Sequence, residues 1–180
     1  MALLQAYSEG SPTQFETFED KDAIAKTLLE VGVTYEHWQP PVPVGADDPD
    51  DTILEAYQPF IDKLSADRGF KTADIIALNP DNPKREEFRQ KFLQEHTHSD
   101  DEARFFIFGQ GLFYIHAGGR VYSLLCEAGD LINIPKGTKH WFDMGPNPQF
   151  KCIRVFTNEE GWVAQFSGSK VATQYPTLEN

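Results

Sequence analysis

The chain has 180 residues with 28 Asp and Glu against 16 Lys and Arg, a formal net charge of −12. So few, scattered cations make no phosphate-tracking groove or patch for an anionic membrane, which excludes nucleic acid and membrane surfaces as partners. Hydrophobic residues make up 40% and aromatics 13%, enough for a core and too many for wholesale disorder, and two cysteines do not make a disulfide framework. Residues 1–6 lack the basic flank and apolar run of a signal peptide, and no stretch reaches transmembrane length. A cytoplasmic monomer is expected.

In chain order, residues 20–31 predict a helix with Ile24, Leu28 and Val31 on one face, Asp20 as its cap and Gly32 as its stop. Val33–Trp38 alternates like a strand. Residues 40–51, rich in Pro and Asp, predict a loop. Residues 52–66 return to helical spacing through Ile53, Tyr57, Ile61 and Leu64, with Gly69 at the stop. Lys71–Leu78 predicts a strand and Pro83–Leu93 a short helix. From Glu95 onward, short apolar runs alternate with Gly, Pro and Asp: Glu102–Phe108, Leu112–His116, Val121–Cys126, Asp130–Ile134, Lys139–Met144, Phe150–Thr157 and Trp162–Phe166. Seven strands at this spacing predict a β-sandwich or closed barrel. Cys126 and Cys152 lie in two of these runs and read as buried free thiols. The expected organisation is a single domain, mostly β with N-terminal helices: a helical and strand elaboration (1–94), a barrel (95–166) and a C-terminal tail (167–180).

Five histidines are present, and two fall in His96-Thr97-His98. Residues two apart on a strand share a face, so both imidazoles can enter one cavity. A turn through Ser99-Asp100-Asp101 can return the Glu102 carboxylate to the same point. Pro135 and Gly137 build a tight turn after Asp130–Ile134, and His140 opens the returning strand towards the first cluster. Imidazole and carboxylate together suit a divalent first-row metal. Arg104, two residues beyond Glu102, shares the inward face if the strand alternates; pairing at the surface with Asp100 or Asp101 is the competing placement. Arg154 is a weaker candidate of the same kind. His37 and His116 are not expected to be ligands, and His116, beside the Gly118-Gly119 hairpin, is expected to be exposed. Gly109-Gln110-Gly111 enters a strand rather than a helix, which excludes a dinucleotide site.

These residues carry a resemblance. His96, His98, Glu102 and Gly109 are spaced as in the first motif of the cupin barrels, and Gly129, Pro135, Gly137 and His140 as in the second. The run from Phe92 to Phe106, His140-Trp141-Phe142-Asp143-Met144-Gly145, Ile153–Phe156 and Gly161–Ala164 resemble the acireductone dioxygenases of methionine salvage. The resemblance implies a cupin-type antiparallel β-barrel (jelly roll) holding one Fe2+ or Ni2+ through His96, His98, Glu102 and His140. Its substrates would be O2 and the small molecule 1,2-dihydroxy-3-keto-5-methylthiopentene. The implied products are formate and 4-methylthio-2-oxobutanoate with iron, and formate, carbon monoxide and 3-methylthiopropanoate with nickel. It gives Arg104 the catalytic task of generating the substrate dianion. It links Glu95 and Asp101 to metal incorporation and conformational relay, where the residues alone read as carboxylates beside the ligands or in solvent. Phe92, Phe142 and Trp162 are candidates to wall the thioether tail, or plain core aromatics. The competing functions are another metal-dependent cupin oxygenase or isomerase, or a non-enzymatic metal-binding cupin.

Overall fold

The structure, a computed structural model, describes residues 1–158, 160–161 and 163–180. Helix α1 spans Lys21–Leu29; the Ala23 amide donates to the Asp20 carboxylate (2.9 Å), and Gly32 turns the chain at φ 80°. Strand β3 (Thr34–His37) follows. The single helix expected over 52–66 is two, α2 (Asp50–Ala56) and α3 (Gln58–Arg68). Pro59 has no amide hydrogen, so the ladder breaks at Tyr57. Ile53, Tyr57, Ile61 and Leu64 still bury one common face. Strand β4 (Thr72–Leu78) and helix α4 (Arg85–Phe92) complete this half. Among the described residues, no helix is long and apolar enough to cross a membrane.

Two strands precede α1 that were not anticipated, β1 (Leu3–Ser8) and β2 (Phe15–Phe18). Leu4 and Ala6 alternate into the core, and β1 pairs with β7 (Arg120–Glu127). The remaining strands are β5 (His96–Thr97), β6 (Glu102–Ala117), β8 (Asp130–Ile134), β9 (Lys139–Asp143), β10 (Phe150–Phe156) and β11 (Gln165–Phe166). Trp162, the expected start of the last strand, lies outside the described residues.

Strands expected at Glu102–Phe108 and Leu112–His116 are one continuous strand, β6. Its first half pairs with β8 and β10, and its second half with β7 and β9. The strand thus passes from one antiparallel sheet (β3-β8-β6-β10-β4) into the facing one (β11-β5-β9-β6-β7-β1-β2). The change of sheet falls at Gly109, which sits at φ 69°; a Cβ there would lie 1.8 Å from the Gln149 carbonyl oxygen. Gly109→Ala therefore combines a left-handed backbone with a backbone clash, and is expected to destabilise the fold by about 2–5 kcal/mol. Urea unfolding of the variant measures this, and an unchanged midpoint would contradict the bend's requirement for glycine.

Both faces of β6 are covered, so burial along its first half is nearly continuous. Ala103, Phe105 and Ile107 pack outward against α2 and α3. Phe106 points inward with Phe113, Ile132, Phe142 and Phe150. Residues 102 and 104 share the parity of 106 and so face the interior. Cys126 and Cys152 are buried free thiols, and burial pushes both thiols up. The C-terminal segment lies along the outer face of the second sheet. Tyr175 packs with Tyr7, Tyr114 and Trp141, the Tyr114 hydroxyl donates to the Pro176 carbonyl (2.7 Å), and the Leu178 amide donates to Asp143 (2.7 Å).

Candidate metal centre

His96 on β5 and His140 on β9 are direct cross-strand partners. The turn before β9 is fastened to the loop carrying His98: the Gly137 amide donates to the His98 carbonyl (3.0 Å), and the Lys136 amide to the Asp101 carboxylate (2.8 Å). Glu102 enters β6 opposite Ile134, the last residue of β8. The four residues expected to converge do so, and all are buried.

The ring nitrogens are sorted by their hydrogen bonds. His96 Nδ1 donates to the Gln94 carbonyl (2.8 Å), His98 Nδ1 to the Val163 carbonyl (3.1 Å) and His140 Nδ1 to the Thr138 carbonyl (2.8 Å). A carbonyl only accepts, so each proton belongs on Nδ1 and each Nε2 carries a lone pair. One candidate ligand atom from each histidine lies within 4.8 Å of the others. Glu102 Oε2 is 2.9 Å from His98 Nε2 and 3.5 Å from His140 Nε2. Yet all three of these atoms are buried without a hydrogen-bond partner. Lone pairs facing lone pairs in a dry interior are costly unless a cation sits among them, so this donor set fits a divalent ion.

The charges agree. Burial, and after it His140, lowers the His96 pKa to about 3, so the ring is neutral at working pH. Burial is the largest single influence on the Glu102 carboxyl and would raise it, but the Arg104 guanidinium together with His140 and His98 outweighs it and holds the group well below the usual range.

Arg104 is buried, and its Nε donates to Glu102 Oε1, leaving Oε2 to the histidine side. The guanidinium carbon lies 5.2 Å from the Phe113 ring centre, 5.3 Å from Phe142 and 6.0 Å from Phe92. Its Nη1 has no partner. The alternative surface placement beside Asp100 and Asp101 is not what the structure has. Arg154 is the cross-strand partner of Arg104 and forms a two-pronged pair with Asp74 (3.0 and 2.7 Å). Arg104, Arg154, Phe92, His96 and His98 border a cavity of about 320 Å3. Phe142 lies beneath Arg104 in the core rather than on the cavity wall, and Trp162 lies outside the described residues.

The ARD/ARD' family model matches residues 8–164. The chain belongs to the ARD/ARD' family. Its relatives within that family include the acireductone dioxygenase of Methylococcus capsulatus, 49% identical over 180 residues that cover 100% of this chain and 97% of the relative. That of Aquifex aeolicus is 48% identical, covering 99% and 97%. A solved acireductone dioxygenase from Bacillus anthracis, with cadmium ion in its active center, is 32% identical, covers 92% of this chain and 98% of its own, and superposes with a TM-score of 0.81. The barrel is the antiparallel cupin type that the resemblance implied.

Other residues of this family member occupy places that spacing did not reveal. Glu95 is buried, accepts from the Ser167 hydroxyl (2.8 Å) and lies 2.7 Å from His116 Nδ1. His116 was expected to be exposed; it is half-buried between Glu95 and Glu9. Asp101, partly buried, accepts from the Lys136 amide at the turn before β9. Asp100 was not singled out, yet it gathers the Thr157 amide and hydroxyl and the Asn158 amide, fixing the chain after β10. His37 lies against buried Asp130 (2.9 Å), away from the cluster. The backbone carbonyls of Gln94, Thr138 and Val163, invisible as motifs, orient the three rings.

Proposed function

We propose that the chain is an acireductone dioxygenase in which His96, His98, Glu102 and His140 hold one Fe2+ or Ni2+, and Arg104 acts on the substrate. The observation that supports this most is the set of three clustered rings with Nδ1 committed to backbone carbonyls, two of which, His98 and His140, turn unpartnered Nε2 atoms to an unpartnered Glu102 oxygen. A divalent ion bound there supplies Lewis acidity towards an enediol and a template that orients it with O2. The chain's own residues do the rest. Glu102 is divided between two tasks: Oε1 is held by Arg104, and Oε2 is turned to the histidines. Arg104 keeps its charge at any working pH, and its Nη1 is available to stabilise an enediolate dianion. Arg154, fastened to Asp74, adds a second cation to the same wall. Phe92 supplies apolar surface that excludes water beside them. Glu95 and Asp101 support the ligand loops through Ser167, His116 and Lys136, positions suited to loading the ion. The three clustered histidines and Glu102 beside them come from one chain, so a monomer suffices, and two buried free thiols suit the reducing cytoplasm.

The test is acireductone-dependent O2 uptake by protein purified with its native metal, with elemental analysis alongside. Iron-loaded protein is expected to release formate and 4-methylthio-2-oxobutanoate. Nickel-loaded protein is expected to release formate, carbon monoxide and 3-methylthiopropanoate. Identical products from both forms would contradict the dependence on metal, and metal-loaded protein that consumes no O2 would exclude the dioxygenase reading.

A further inference from the structure

The wall of the metal cavity is mixed in chemistry. Its lining includes the cations Arg104, Arg154 and Lys91, with Phe92 close to the Arg104 guanidinium, and three apolar residues from the segment after β10: Val163, Ala164 and Phe166. Val163 is 47% exposed and Phe166 46%, so two large apolar side chains stand in solvent at the mouth of a charged site. Isolated exposed apolar groups need no explanation, but two bordering one cavity mark a place where an apolar group docks.

Phe166 has a further property. A second cavity of about 430 Å3 lies between α4 and the C-terminal segment, lined by Gln90, Leu93, Ala172 and Thr173 among others. Phe166 is the one residue, among the described residues, that borders both cavities. Its backbone is fixed: it pairs with His96 across β5 and β11, and the next residue, Ser167, is bonded to the Glu95 carbonyl (3.0 Å) and carboxylate (2.8 Å). Its ring stands edge-on to His96, with centres 6.0 Å apart. A pinned backbone carrying a half-exposed ring makes a partition whose height is set by one side chain.

We propose that Phe166 limits the length of the apolar tail the enzyme accepts, closing the metal cavity against the second cavity behind it. This rests on the dioxygenase reading, since the enediol end takes the metal and cations and leaves the tail to Val163, Ala164 and Phe166. The second cavity is then unused space that a longer tail reaches once the ring is removed.

The experiment compares kcat/KM for two acireductones, one with the methylthioethyl tail and one with an n-octyl tail, in the native enzyme, Phe166→Ala and Phe166→Trp, with metal content measured in each. Native enzyme is expected to prefer the short tail. Phe166→Ala is expected to shift the ratio towards the octyl substrate by about tenfold or more, the scale on which a few methylenes in an apolar pocket discriminate. Phe166→Trp is expected to shift it the other way, with metal content unchanged in both. An unchanged ratio in both variants overturns the proposal. So does an equal loss on both substrates with lowered metal content, which would make Phe166 a support for His96. Native enzyme that consumes no O2 with either substrate overturns the dioxygenase reading and this inference with it.

Discussion

Replacing His140 by alanine is expected to strip the protein of its metal and abolish acireductone-dependent O2 uptake. His140 is the cross-strand partner of His96, and its Nε2 is among the buried atoms left without a hydrogen bond. Altering a group that merely orients a metal ligand typically lowers affinity or activity by about 10- to 100-fold. Removing a ligand outright should exceed that. The Thr138 carbonyl and the Gly137 contact to His98 belong to the backbone, so the turn itself should survive. Elemental analysis and circular dichroism on the same sample separate metal loss from unfolding. A folded His140→Ala protein with native metal content and rate would remove His140 from the ligand set.

Arg104→Ala is expected to give the opposite pattern: metal retained, turnover lost by about 100- to 1000-fold, the usual effect of deleting one preorganised electrostatic contact to a developing anion. The guanidinium lies among Phe92, Phe113 and Phe142, so the deletion leaves a gap in an apolar cage, while Glu102 loses one of the groups that hold it ionised and keeps His98, His140 and the ion it binds. Arg104→Lys restores a charge without the planar fork and should recover only part of the rate. Steady-state O2 consumption with metal analysis on both variants decides this. Near-native turnover in Arg104→Ala would transfer the role to Arg154, the other cation on the same wall.

Local features of the sequence were the most legible. The Asp20 cap, the Gly32 and Gly69 stops, and the strands around Asp130–Ile134 and Lys139–Asp143 follow from residues near one another in the chain. The convergence of His96, His98, Glu102 and His140 was legible because three of them are close in the chain and the Pro135–Gly137 turn returns the fourth, although β5 ends at Thr97 and His98 is placed by its loop contacts to Gly137 and Val163 rather than by a strand's period of two. What stayed hidden depends on distant partners. Leu3–Ser8 is a strand because β7 receives it. His116 is drawn in by Glu95, 21 residues earlier. The break read at Gly109-Gln110-Gly111 is a bend inside one strand, since glycine relieves the clash with Gln149 while the pairing continues on both sides. Phe166 escaped notice because its strand is two residues long and exposed.

The long separations that the pairings of β1, β7 and β9 span also govern when the site comes into being. A chain leaving the ribosome presents His96 and His98 well before β9 brings His140 and before Val163 arrives to orient the His98 ring. Pairings such as Leu3 with Leu125 close very long loops, which slows folding of such topologies. The four residues and the carbonyls that orient the rings come together only once β9 and Val163 are in place, so the complete cluster is a property of the finished barrel and of no shorter stretch of chain.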